Sequence, residues 1–410
     1  KNIDKSSFVW NMIGSMLMAF QSVIMLMIIT RTLDLYSAGI FTLAYASANL
    51  FLNIGKYGMH NFQVSDMKNQ FNFKEYLYSR VITTLLMFAF SIIYILISQQ
   101  KNNYTENKTY VILWMCIFKL IDSVEDVYLA HYQHEDRFDI SGKIMSLRMG
   151  LTIVVFGLCV IFSRNLLSAL IITTFFSTLI LTFFLCLVQP SFHRSTEQAQ
   201  PHNIITLLGT CFPLFLGSFL SFYIGNAPKY AIDSQLNDEL QACYGFIAMP
   251  VFVISLLNNF IFNPLVTKMS FMWKDRQKKE FYHLFRLQIL AVIAITFICE
   301  LGAFFIGVPM LSLLYNTDLT LYKSELLVLL LGGGFLALSG LFANIMTILR
   351  IQNNQAIGYG IVAVFAYIFS PLFVKKYSIM GASWLYLTLM ILLCIIFGIM
   401  LWRFGMQNAD

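Results

Sequence analysis

Charge is what this chain has least of. Asp, Glu, Lys and Arg make up 12% of 410 residues, about half the usual share of a soluble domain. Too few hydrated groups are present to coat a water-soluble globule of this size. Catalytic signatures are missing as well. No G-x-x-x-x-G-K-[ST] loop is present, which excludes a built-in ATPase, and there is no H-E-x-x-H or nucleophile elbow. Seven cysteines occur without C-x-x-C or Cys/His spacing, so neither a metal nor a redox centre is expected. They read as small apolar packing residues. Long polar segments are absent too; the longest outer loops, at about ten residues, leave no room for an external catalytic domain.

Long apolar runs fill the space instead. Apolar residues reach 58% and mean hydropathy is +0.71. A spanning helix needs about 20 mostly apolar residues. Twelve such stretches are predicted, at 8–30, 38–56, 77–98, 109–130, 143–163, 166–188, 204–227, 241–264, 286–308, 323–349, 354–374 and 379–402. In hydrocarbon the backbone must satisfy its own hydrogen bonds, which leaves helices or a closed barrel. The runs lack two-residue alternation, so the expected fold class is an all-α polytopic membrane protein. The first stretch is a full span, so no signal peptide is expected, and the chain opens at Lys1 without a Met, so residues are expected ahead of it.

Basic residues are distributed unevenly. An even span count places both termini on one side. That side holds 18 Lys/Arg, including Lys68, Lys74, Arg80, Arg137, Lys143, Arg194, Lys274, Arg276, Lys278 and Lys279; the other holds 8, with Lys119 inside a span. The positive-inside rule then makes both termini cytoplasmic. The net charge of +6 reflects this bias rather than a nucleic-acid patch.

The most polar, Pro-marked break is "QPSFHRSTEQAQPHN", between spans six and seven. It divides the chain into an N-terminal six-helix lobe (1–190), a cytoplasmic linker (191–203) and a C-terminal lobe (204–410). "KEYLYSR" before span three is echoed by "KEFYHLFR" before span nine, an offset of about 205 residues. Two parallel repeats imply pseudo-symmetric lobes with a substrate site between them. Among the spans, only those of the second half contain or adjoin proline: Pro213, Pro228, Pro250, Pro264, Pro309 and Pro371. They predict bent helices, and Gly332, Gly333 and Gly334 are expected to soften span ten.

Ionisable groups inside spans face the bundle interior or a cavity. Span four holds Lys119, Asp122, Glu125 and Asp126. Helical spacing sets Lys119, Asp122, Ser123 and Asp126 on one face and sends Glu125 elsewhere. Two readings stand: a Lys119–Asp122 ion pair joining helices, or a cavity wall that takes a cation or proton. Arg31, Lys229 and Arg350, near span ends, either snorkel to headgroups or reach into a cavity. Arg148 lies within span five, and Glu300 is a lone acid in span nine.

The stretch "RTLDLYSAGIFTLAYASANLFLNIGKYG", with Arg31, Leu33, Gly39, Tyr57 and Gly58, resembles the end of span one through span two of Wzx-like polysaccharide flippases of the multidrug/oligosaccharidyl-lipid/polysaccharide (MOP) superfamily. "FQVSDMKNQFNFKEYLYSR", "NAPKYAIDSQLNDELQACYGFIAMP" and the opening of span twelve at Tyr377, Gly381 and Ala382 agree in order. The resemblance implies two six-helix lobes around a central cavity. It also implies a flippase that moves undecaprenyl-diphosphate-linked oligosaccharide, or a teichoic-acid precursor, across the bacterial cytoplasmic membrane. Expected partners are this lipid-linked glycan, membrane lipids and other glycan-assembly proteins. Phosphate pairing calls for Arg and Lys, which makes Arg31, Lys119, Arg148, Lys229 and Arg350 the candidate cavity cations. Without a nucleotide site, H⁺ or Na⁺ coupling is expected through Glu300, Asp122 or Asp126. A multidrug/cation antiporter of the same superfamily would share the fold but prefer acids. A membrane polymerase or ligase would need a larger outer loop.

Overall fold

The computed structural model describes residues 2–66, 69–192 and 198–407. Lys1, Lys68, Arg194 and part of the 191–203 linker lie outside them. The described chain is built of helices, and ten of these are long and apolar enough to cross a membrane. An eleventh, α5 (Glu106–His134), falls short only because of its charges. The last of the ten, Asn354–Arg403, holds two spans. It belongs to α13 (Gln352–Gln407), which is interrupted by one non-helical residue, Ser378, at φ 54° and ψ −135°. Twelve spans result, and the chain is a multi-pass membrane protein.

Contacts divide the chain between Phe219 and Leu220, inside α8 (Pro201–Gln235). The polar break lies upstream of that helix. The first unit contains α1 (Asn2–Thr32), α2 (Leu35–Lys56), the short α3 (Met59–Val64), α4 (Phe73–Asn102), α5, α6 (Phe138–Ser163), α7 (Leu166–Val188) and the start of α8. α5 is its hub, packing against α2, α4, α6 and α7, while α1 lies along α6. Short turns start several of these helices. Asp34 accepts from Ser37 N–H at 2.8 Å, and Asn165 accepts from Ser168 N–H at 3.1 Å. Such caps satisfy backbone donors that the helix leaves open.

The second unit contains the rest of α8, α9 (Asp238–Lys274), α10 (Lys278–Gly302), α11 (Val308–Tyr315), α12 (Lys323–Ile348) and α13. α12 is central to it, packing on α9, α10 and α13. The glycine triplet serves that packing and leaves α12 unbroken. A Cβ on Gly332 would lie 2.6 Å from Tyr386, on Gly333 3.0 Å from Val251, and on Gly334 2.6 Å from Thr296. Prolines are absorbed in different ways. α8 and α9 remain continuous helices, whereas a π-turn, Ala303–Gly307, precedes Pro309. Proline lacks the N–H that would cap the carbonyl four residues back, and a widened turn accommodates the loss.

Candidate functional site

Every buried charged side chain among the described residues lies in the first unit. α5 gathers six of them, Lys119, Asp122, Glu125, Arg148, Arg80 and Asp126, into two clusters. Lys119, near the middle of α5, donates from Nζ to Asp122 Oδ2 at 2.8 Å and to Gln21 Oε1 of α1 at 2.9 Å. Tyr45 of α2 donates to the same Gln21 oxygen, and Lys119 Nζ lies 4.8 Å from the Tyr45 ring. Arg148 of α6 donates to Asp122 Oδ1 at 2.7 Å, to Glu125 Oε1 at 2.6 Å and to Ser177 Oγ of α7 at 3.1 Å. Two cations thus meet two carboxylates, so the cluster carries no formal excess charge. Its side chains are nearly fully buried; Arg148 is at 0%.

The second cluster surrounds Asp126. Arg80 of α4 donates to Asp126 Oδ2 at 2.7 Å and to Gly55 O at 2.7 Å. Lys56 Nζ and His60 Nδ1 each lie 3.2 Å from Asp126 Oδ1. Thr83 also donates to Gly55 O, at 2.8 Å. Together these contacts tie the end of α2 to α4 and α5.

Glu125 does not point away from the other acids, as helical spacing suggested; it shares Arg148 with Asp122. Asp126 belongs instead to the other cluster, and Ser123 meets Thr84 of α4 at 2.9 Å. α5 is buried on several sides, so each of its faces finds its own partner. Arg80, counted above only among the basic residues on the side of the termini, is 1% exposed. Its signal was available: Tyr76, Arg80, Thr83 and Met87 form one buried stripe at helical spacing. Gln21, Lys56 and His60 carried no such signal, because amides and helix-end cations are ordinary in a membrane protein.

The remaining candidates lie apart from these clusters. Arg31 is exposed in the last turn of α1. Arg350 is exposed in the turn after α12, at φ 59°. Lys229 is half-buried in α8, and among the described residues it has no ion-pair or hydrogen-bond partner. Glu300 is half-buried in a cleft of about 230 Å³ between α10 and α12, beside Thr296, Phe297, Gly334 and Leu338. Lys119, Asp122 and Arg148 are therefore brought together, Asp126 is held separately, and Lys229 and Glu300 stand alone in the second unit.

A family model described as "Polysaccharide biosynthesis protein" matches residues 5–270. The capsular polysaccharide biosynthesis protein CapF of Staphylococcus aureus is 25% identical over 279 residues, covering 66% of this chain and 69% of that protein. Among solved structures, an inward-facing multidrug resistance MATE family transporter of the MOP superfamily aligns with a TM-score of 0.70 at 11% identity, over 95% of each chain. The lipid II flippase MurJ, in an inward closed conformation, aligns with a TM-score of 0.70 at 13% identity, over 94% of this chain and 86% of that one. At such identities the likeness is one of fold.

Proposed function

This chain belongs to the polysaccharide biosynthesis protein family, and we propose that it acts as a flippase for a lipid-linked oligosaccharide, such as an undecaprenyl-diphosphate glycan or a teichoic-acid precursor. It would work in the bacterial cytoplasmic membrane by alternating access, with both termini cytoplasmic, and without covalent chemistry. The names of CapF and MurJ support a glycan carried on a lipid. Hydrocarbon rejects the diphosphate and sugars of such a substrate far more strongly than its tail. The protein must therefore offer an unneutralised cation. One observation carries the site assignment: Lys229 has no carboxylate partner among the described residues, whereas Lys119 and Arg148 are already paired.

On this reading Lys229 takes the phosphate. Transport is secondary. Glu300 is the preferred coupling acid, because Asp122 and Asp126 already have fixed cationic partners. In cells, Lys229→Ala should reduce glycan export by about tenfold at unchanged protein level. Lys119→Ala should lower the amount of folded protein instead. Normal export by Lys229→Ala would reject the assignment.

A further inference from the structure

A cleft of about 750 Å³ opens at the turn between α11 and α12, lined by Phe304, Phe305, Ser312, Asn316, Asp318 and Lys323 among others. The turn beside it is anchored on both sides. Leu319 is buried and donates its N–H to Ser312 Oγ at 3.1 Å. Tyr315 is buried and stacks on Phe246 at 4.4 Å.

Two opposite charges sit on this rigid frame without pairing. Asp318 Oδ1 accepts from Thr320 N–H at 3.0 Å and from Thr320 Oγ1 at 2.7 Å. These bonds hold the exposed carboxyl below the usual carboxylate range, so it is ionised at neutral pH. Among the described residues its second oxygen has no hydrogen-bond partner. Lys323 Nζ lies 3.9 Å from the centre of the Phe304 ring, and no carboxylate among the described residues is within ion-pair distance of it. Around the cleft the surface is apolar: Phe305, Met310, Leu313 and Leu321 are 73%, 66%, 76% and 84% exposed. The widened π-turn presents Phe304, Phe305 and Ile306 consecutively at this boundary. An apolar span therefore gives way to a turn that carries one fixed anion and one free cation.

We propose that this cleft binds the headgroup of a zwitterionic phospholipid of the phosphoethanolamine type. Lys323 takes the phosphate, Asp318 takes the ammonium, and the acyl chains run along Phe305, Met310 and Leu313. A purely anionic headgroup would leave Asp318 facing a like charge, and a cationic amphiphile would meet Lys323 in the same way. The site is independent of which substrate the protein transports.

The test uses the full chain in nanodiscs of phosphatidylcholine containing equal fractions of phosphatidylethanolamine and phosphatidylglycerol. Lipid retained after mild extraction is counted by native mass spectrometry. Wild-type protein should retain phosphatidylethanolamine over phosphatidylglycerol. Lys323→Gln and Asp318→Asn should each lower that retention by about tenfold, the value of one charge-assisted contact, while Lys323→Arg keeps it. The wild-type preference needs no variant, so a poorly folding substitution leaves the proposal exposed. Equal or greater retention of phosphatidylglycerol would overturn it. So would unchanged binding in a folded Lys323→Gln protein.

Discussion

Arg148 of α6 links α5 and α7 inside the first unit. Its guanidinium holds Asp122 and Glu125 together while donating to Ser177. A buried ion pair contributes little net stability when intact, because desolvation offsets attraction, but removing one partner strands a charge. Arg148→Gln should therefore destabilise the protein by about 3–5 kcal/mol. The double variant Arg148→Gln/Glu125→Gln restores the formal balance between Lys119 and Asp122. It should recover most of the loss, with a coupling of about 2–3 kcal/mol. Thermal unfolding of purified protein followed by size-exclusion fluorescence reads both values. If the two effects simply add, the cluster does not act as a unit. The residue types of this cluster were legible in the sequence, since four charges in one apolar span require partners. Their pairing was not: one helical turn separates Asp122 from both Glu125 and Lys119, and only the positions of α6 and α1 decide which acid meets which cation.

At the scale of helices, close approach is governed by single glycines. Gly142 of α6 lies against the backbone of α1, where an added Cβ would sit 2.7 Å from Asn11 N and 2.9 Å from Trp10 C. The same contact carries the Asn11 to Phe138 O bond at 2.7 Å and the Ser146 to Trp10 O bond at 2.8 Å. Gly14 of α1 meets only side-chain atoms, the flexible end of Met145 and, at 2.9 Å, Ser146 Oγ. Alanine favours a helix over glycine by about 1 kcal/mol, so two outcomes separate. Gly142→Ala should lose about 1–3 kcal/mol because backbones must part. Gly14→Ala should lose less than Gly142→Ala, since Met145 can swing away and only the Ser146 hydroxyl must shift. Melting temperatures of the two variants check the contrast. Apolar runs revealed the twelve spans because hydrocarbon imposes length and composition on each one separately. They could not reveal how α12 uses its glycines. Gly332, Gly333 and Gly334 read as softness in the chain, yet each meets a different neighbour, Tyr386, Val251 or Thr296. Nor does the "KEYLYSR" echo carry a shared role. Tyr76 and Phe281 are both buried, but the position of Arg80 is taken by Phe285 in the second copy.

At the scale of the whole molecule, the two units carry charge in different ways, and basic residues at the turns decide sidedness. The turn after α5 holds Arg137, and the one after α9 holds Arg276, flanked by Lys274, Lys278 and Lys279. Turns on the opposite side are short and capped by side chains: Asp34, Thr105, Asn165 and Asn237 each accept from a backbone N–H three residues on. Excess Lys/Arg is retained in the cytoplasm, so the Arg137 and Arg276 turns should face inward. Substituted-cysteine labelling tests this at exposed positions whose side chains make no capping bond and whose backbone is not left-handed. After the seven native cysteines are replaced, Glu106→Cys and Glu239→Cys should react with a membrane-impermeant maleimide in intact cells. Glu135→Cys and Gln277→Cys should react only after permeabilisation. Each unit contributes one outer and one inner site, so the sidedness of each is read separately. Labelling of Glu135→Cys or Gln277→Cys in intact cells would invert that unit. A flippase loaded from the cytoplasm would then have its basic turns at the wrong membrane face, and the proposed direction of transport would fall with the topology.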